Sequence, residues 1–187
     1  MTQETDLIFQ NMKTRRAVRS FTGAAVSDDN LWEIVQAGRW AASGGNLRPH
    51  RFFITRDRAR IQRIRSFSPG MLAEPQAIIS ILIDWEQVER EFSSIEPSMI
   101  VYVDVGTAAQ NMLNMAHALG VGSCPVTSFS QSGVAGVLGL PSNLSVELLI
   151  MLGDPKPVDR GLSAQAPKSV TTRDLTSWET FGNHDRD

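Results

Sequence analysis

Cysteine is nearly absent: Cys124 is the only one in 187 residues. No intramolecular disulfide can form, and no cysteine-based zinc site. A reducing compartment is expected for such a chain. A long apolar run is missing as well. The most apolar stretch, Met99 to Val121, is broken by Asp104, Gln110, Asn111, Asn114 and His117, which makes it too polar to span a membrane. Met1 to Asp6 is polar and acidic, with neither a basic n-region nor an apolar h-region, so no secretory signal is expected and the chain reads as cytoplasmic. Excess charge of one sign is lacking: the net charge is −2 and the pI about 5.9, which leaves no global basic field to attract nucleic acid. Internal repeats and low-complexity tracts are absent too.

What is present is the composition of an ordinary globular protein, 42% hydrophobic and 20% charged. A single domain over 1–187 is expected, large enough to bury a core without disulfides or metals. The charge is unevenly placed. Arginines crowd the first third, from Arg15 to Arg65, while acids gather at Asp84, Glu86, Glu89, Glu91 and Glu96. That asymmetry fits a local anion site better than a nucleic-acid surface.

The densest point is Arg15-Arg16-Ala17-Val18-Arg19-Ser20-Phe21, with three guanidinium groups in five positions after the apolar run Leu7, Ile8, Phe9, Met12. Like charges this close must be solvated or must share an anion. Arginine suits the second case, because its planar fork matches phosphate oxygens two at a time and it does not lose its proton. A solvated basic turn and a phosphate clamp for a nucleotide-like cofactor are the two readings.

Thr5 or Asp6 is expected to cap a first helix running to Met12–Thr14, with Leu7, Ile8 and Met12 on one face. Ser27-Asp28-Asp29 opens a second helix, Asp28 to about Trp40. The loop Ala41 to Arg48 is rich in small residues, and its hydroxyl, amide and guanidinium groups suit either a plain connector or a holder of a flat polar ligand. Pro49 is expected to push Arg48 into an extended conformation. Phe52 begins a strand, and Arg56 to Arg65 reads as a short helix with solvated arginines and Ile61 and Ile64 inward. Ala77 to Ile83 is a buried central strand, Asp84 to Ile95 a polar helix or flap, and Met99 to Leu119 a long helix apolar on nearly every face. Gly120 ends it. Val121 to Phe129, Ser132 to Leu138 and Ser145 to Leu152 read as strand, short helix and strand. The tail, Lys156 to Asp187, lacks periodicity and is expected to lie along another surface, that of a partner subunit, with Trp178 and Phe181 as anchors. His50 and His117 read as structural, and Cys124 as a small core residue.

Four segments in order resemble the nitroreductase family of FMN-dependent NAD(P)H oxidoreductases. Arg15 to Phe21 is similar to the family's Arg-Arg-Ser-x-Arg-x-Phe, and Ala42-Ser43-Gly44-Gly45-Asn46-Leu47-Arg48-Pro49 to its Pro-Ser-x-x-Asn-x-Gln-Pro. Asp104 to Leu113 with His117 to Gly120 resembles the central helix, and Leu138 to Pro141 with Met151 to Pro155 the C-terminal strand and its flanks. The resemblance runs from about Asp6 to Pro155.

It implies an α+β fold, a three-layer sandwich whose mixed, mainly antiparallel sheet is flanked by helices, in an intertwined homodimer with FMN at the interface. It also implies that Arg15, Arg16 and Arg19 hold the FMN phosphate and pyrimidine edge, and that Ala17 loses one hydrogen bond where the family carries Ser. Ser43, Asn46 and Arg48 would reach FMN from the other subunit, and Pro125, Val126, Thr127 and Ser128 would bring backbone N–H groups to flavin N5. Lys168, or Arg173, would complete the phosphate site from the tail. The implied activity is ping-pong hydride transfer from NADH or NADPH through FMN to an electron-poor small molecule such as a nitroaromatic or quinone. A flavin-dependent dehalogenase or dehydrogenase, or a flavin-storage protein with little turnover, are the alternatives on the same scaffold. No catalytic side chain, metal, nucleic acid or membrane enters this reading.

Overall fold

The computed structural model describes residues 2–91, 97–157 and 170–184. It divides into two units, Met1–Lys156 and Pro157–Asp187.

In the first unit, α1 (Gln3–Thr14) is followed by an extended segment and α2 (Asp28–Arg39). Then come β1 (His50–Thr55), α3 (Arg58–Ser66), β2 (Ala77–Asp84) and α4 (Trp85–Glu91). The unit is completed by α5 (Pro97–Ala118), β3 (Gly122–Val126), α6 (Gln131–Leu138) and β4 (Leu144–Gly153). The cap of α1 is Thr2, whose hydroxyl accepts from Thr5 N–H, not Thr5 or Asp6. Thr5 and Asp6 are needed one turn later, inside the helix. Ser27 caps α2 through Asn30 N–H, and Asp57 caps α3 through Arg60 N–H.

The strands form one sheet in the order β1-β2-β4-β3, with every pair antiparallel. The one parallel pairing among the described residues is a single bridge, Ala17 to Ser123. Side chains alternate across a strand. Ile79, Ile81 and Ile83 of β2 therefore join α2 and α5 in one core, and Ile78 and Leu82 join α3 and α6 in another. Between Ile81 and Leu82 the register to β4 slips, from Leu148 to Val146, leaving Glu147 as the extra residue of a bulge. The slip changes parity, so Leu148, Ile150 and Leu152 face the first core while Val146, Leu149 and Met151 face the second. Two cores on opposite faces of one sheet make three layers, the α+β sandwich that the resemblance implies.

The long helix is less enclosed than its composition implies. Val101, Val105, Ala108, Met112 and Ala116 are buried, but Met99, Tyr102, Val103, Gly106 and Gln110 form an outward stripe. On α1, Leu7, Ile8, Phe9 and Met12 are all more than half exposed. No helix among the described residues is long and apolar enough to cross a membrane.

The second unit contains one 3-10 turn, Arg173–Leu175, among its described residues. Asp174 accepts from Thr171 N–H at 2.7 Å and Thr171 Oγ1 at 2.8 Å.

Candidate functional site

The arginine segment begins where α1 ends. Arg15 N–H still closes on Asn11 O at 3.1 Å, and the chain then turns extended, with φ −54° and ψ 133° at Arg15. It runs beside β3, with Val18 N–H donating to Ser123 O at 2.9 Å. It continues past the end of β4, with Thr22 N–H on Asp154 O at 2.9 Å.

The three arginines separate. Arg16 Nη1 donates to Lys13 O at 2.6 Å and Arg15 O at 2.8 Å, supplying carbonyls at the helix end that have no intrahelical donor. Arg16 also lines a cavity of about 270 Å³ with His117 and Thr14. Arg19 and Arg15 act instead on Cys124. Burial pushes its thiol up, against the nearby charges of Arg19 and Arg15. Cys124 is a buried core residue, as the sequence reads.

His117 is tied to α1. Thr14 Oγ1 donates its one proton to Gln10 O at 2.7 Å, so it accepts from His117 Nε2–H at 2.9 Å. That contact gives His117 a structural task.

The second group of candidates is a pinned loop. Asp104, 2% exposed on α5, accepts Ser43 Oγ–H at 2.9 Å and Gly44 N–H at 2.9 Å. Ser43 Oγ in turn accepts Arg48 N–H at 2.9 Å. Gly44 is required there, because an added Cβ would stand 2.2 Å from Ile100 Cγ2. Asn46 and Arg48 sit at φ +58° and +49°. Arg48 is therefore left-handed, not extended as Pro49 implies. The clasp from Ser43 to its N–H overrides the local preference, at a strain cost of about 1–3 kcal/mol for such a residue. Nε of Arg48 is buried with no hydrogen-bond acceptor.

Sequence reasoning passed over Asp104. The available signal was a charged residue among Val101, Val105 and Ala108, the buried positions of α5. Such a carboxylate must be hydrogen-bonded by something.

Next to this loop lies His50, 5% exposed, its ring 5.1 Å from that of Phe52 and its Nδ1 without a partner. Burial lowers its pKa below 6.5. The charge of Asp104 opposes that shift, and Arg51 and Arg48 add to it.

The third group is the end of β3. Val126 is buried in the second core, while Pro125, Thr127 and Ser128 are exposed. Ser128 O accepts Gly70 N–H at 3.0 Å, and the N–H groups of Thr127 and Ser128 meet no acceptor among the described residues. Of the tail candidates, Lys168 lies outside the described residues, and Arg173 opens the 3-10 turn of the second unit.

The arginines now sort by partner. Arg51, Arg56, Arg58 and Arg65 pair with Asp84, Asp28 or Glu74. Arg56 and Arg58 stay 54% and 79% exposed and Arg63 is exposed as well, the solvated state expected of that segment. No carboxylate among the described residues pairs with Arg15, Arg16, Arg19 or Arg48. The set can bind anions and donate hydrogen bonds; it contains no obvious general acid or base.

Comparison with known proteins gives four findings. The model of the nitroreductase family matches residues 12–84 and 76–154. An Archaeoglobus fulgidus protein named for NADH dehydrogenase and NAD(P)H nitroreductase is 30% identical over 149 residues, covering 76% of this chain and 82% of its own. Among solved structures, a Desulfovibrio desulfuricans protein named as a nitroreductase, in complex with FMN, is 29% identical with a TM-score of 0.73, covering 93% of this chain and 97% of its own. The Vibrio harveyi NADPH:FMN oxidoreductase, complexed with NAD+, shares the fold at 22% identity and a TM-score of 0.71, covering 90% of this chain and 81% of its own.

Proposed function

Since the chain belongs to the nitroreductase family, we propose that it is an FMN-dependent NAD(P)H oxidoreductase acting as a homodimer with FMN at the interface. When bound, FMN would supply hydride chemistry at N5 for a ping-pong reaction between NADH or NADPH and an electron-poor small molecule such as a nitroaromatic or quinone.

The residues fit that group. Arg15 and Arg19 offer cations without carboxylate partners among the described residues, beside β3. Ala17 between them offers no side-chain hydrogen bond. The N–H groups of Thr127 and Ser128 offer unpaired donors at the end of the same strand. Arg48 offers an orphaned buried Nε, and Asn46 an exposed amide. Arg16 serves the end of α1, so the clamp rests on Arg15 and Arg19.

One observation carries the two-chain reading. Ser43 and Gly44 hang from Asp104, whereas Thr14, the residue before the arginine segment, meets α5 at His117. Thirteen residues of helix, about 20 Å, separate these points. One chain therefore does not bring both groups to one small ligand. An antiparallel crossing of two copies of α5 near Gln110 and Asn111, midway between 104 and 117, would do so. Gly106 and Gln110 face outward there, and Gly106 has open space where a Cβ would stand. A glycine inside a helix costs about 1 kcal/mol against alanine, and close approach of a second backbone is a use that offsets it.

The test is the absorbance spectrum of the purified protein, with chromatography of the small molecule released on denaturation. A yellow protein releasing FMN, near one per chain, is expected, together with steady-state NAD(P)H oxidation in the presence of a quinone. A colourless protein that takes up no added FMN would remove the cofactor. FMN binding without turnover would leave a flavin-storage protein instead.

A further inference from the structure

Ser43 looks like a hydrogen-bond donor to a ligand, and its geometry denies it that role. A serine hydroxyl has one proton, and here it goes to Asp104. One of its lone pairs takes Arg48 N–H. What remains toward a ligand is a single lone pair. The loop's free side-chain donors are then Asn46 and the guanidinium of Arg48.

We propose that Asp104 is a positioning residue for the cofactor, acting through Ser43 on Arg48. The inference rests on the FMN reading above. Its steps are all in one chain. The buried carboxylate fixes Ser43 Oγ and Gly44 N–H, which leaves the hydroxyl oxygen aimed at Arg48 N–H. That contact holds Arg48 at φ +49°, against the preference of a residue preceding proline. Held so, Arg48 has no carboxylate partner among the described residues and one buried nitrogen without an acceptor. A guanidinium in that state is arranged for an anion supplied from outside the chain, which here is the phosphate-bearing cofactor seated on a second copy. Backbone strain persists where the surroundings over-determine it, and Asp104 is what over-determines this loop.

The experiment measures FMN dissociation by flavin fluorescence on apo-protein of the wild type, Arg48→Ala, Asp104→Ala, Ser43→Ala and the Arg48→Ala/Asp104→Ala double variant. Circular dichroism and sedimentation check fold and dimer. Loss of one charge-assisted hydrogen bond predicts a weakening on the order of ten- to a hundredfold for Arg48→Ala. Asp104→Ala and Ser43→Ala should weaken FMN in the same direction, and the double variant should bind little worse than Asp104→Ala alone, the signature of coupled residues. Asp104→Asn keeps an acceptor for Gly44 N–H and should recover part of the loss. Additive effects of Arg48 and Asp104, or an Asp104→Ala dimer with wild-type FMN affinity, would overturn the proposal and leave the FMN reading intact. If Asp104→Ala does not fold, Ser43→Ala decides alone: wild-type affinity in that variant overturns the link. No FMN uptake by the wild type would overturn both readings at once.

Discussion

Gly38 faces α5 so closely that an added methyl group would have to displace Met112 and press on Phe52. An added Cβ would stand 2.2 Å from Met112 Cε, 3.0 Å from Met112 Cγ and 3.1 Å from Phe52 Cζ. Gly38→Ala should lose about 1–3 kcal/mol, read as a lower urea midpoint, because the gain in helix propensity is smaller than the overpacking cost. His50 supplies a pH-dependent contribution. Burial holds its folded pKa below the ordinary 6.5, so the unfolded chain binds more protons once the pH falls below that value. Stability associated with His50 is therefore full above about pH 6.5 and declines as pH falls toward the folded pKa. His50→Gln should flatten the acid side of a plot of denaturation midpoint against pH; an unchanged slope would exclude the residue as its source. At this scale the sequence showed which residues carry charge and which are too small to be incidental. It did not show Asp104 as an anchor, because the groups that hydrogen-bond it come from sixty positions away.

Among the elements, caps and apolar spacing were the legible part. Ser27 and Asp57 sit at the N-termini of α2 and α3 with their side chains on Asn30 and Arg60 N–H. Ser27→Ala and Asp57→Ala should each cost about 1 kcal/mol, measured by thermal or chemical denaturation. Ile61 and Ile64 are buried on α3, as their spacing requires. The strands over Ala77 to Ile83 and Ser145 to Leu152 are both buried, each extended by the structure to Ala77–Asp84 and Leu144–Gly153. Local rules failed where a distant contact overrode them. Pro49 favours an extended Arg48, and the Ser43 clasp wins. The β4 bulge at Glu147 was invisible for a related reason: parity along β4 is decided by the register to β2.

At the scale of the whole molecule, the outward apolar residues of α1 and α5 have no cover within the first unit. Exposed apolar side chains grouped on two helices mark an interaction face, and the homodimer proposed above would cover them. Val103→Glu should place a charge on that face. Sedimentation velocity should then show a monomer in place of the dimer proposed for the wild type, and FMN uptake should fall with it, although Val103 lies away from Arg15 and Arg19. A monomer that retains full FMN affinity would rule out a cofactor site built from two chains.

The sequence by itself determined the helices and strands, the two apolar faces of the central strands, the family resemblance and the crowding of cations at Arg15 to Arg19. These depend on neighbours a few positions apart, where periodicity and capping act. Only the tertiary structure decided that Arg16 turns to the end of α1 while Arg15 and Arg19 act on Cys124. It alone decided that Asp104 ties down the Ser43 loop, and that this loop and Thr14, from which the arginine segment leaves, meet α5 at different points, Asp104 and His117. Those outcomes depend on which groups meet after the chain folds back on itself, and a buried hydrogen bond between distant residues outweighs the weak local preferences that a sequence displays.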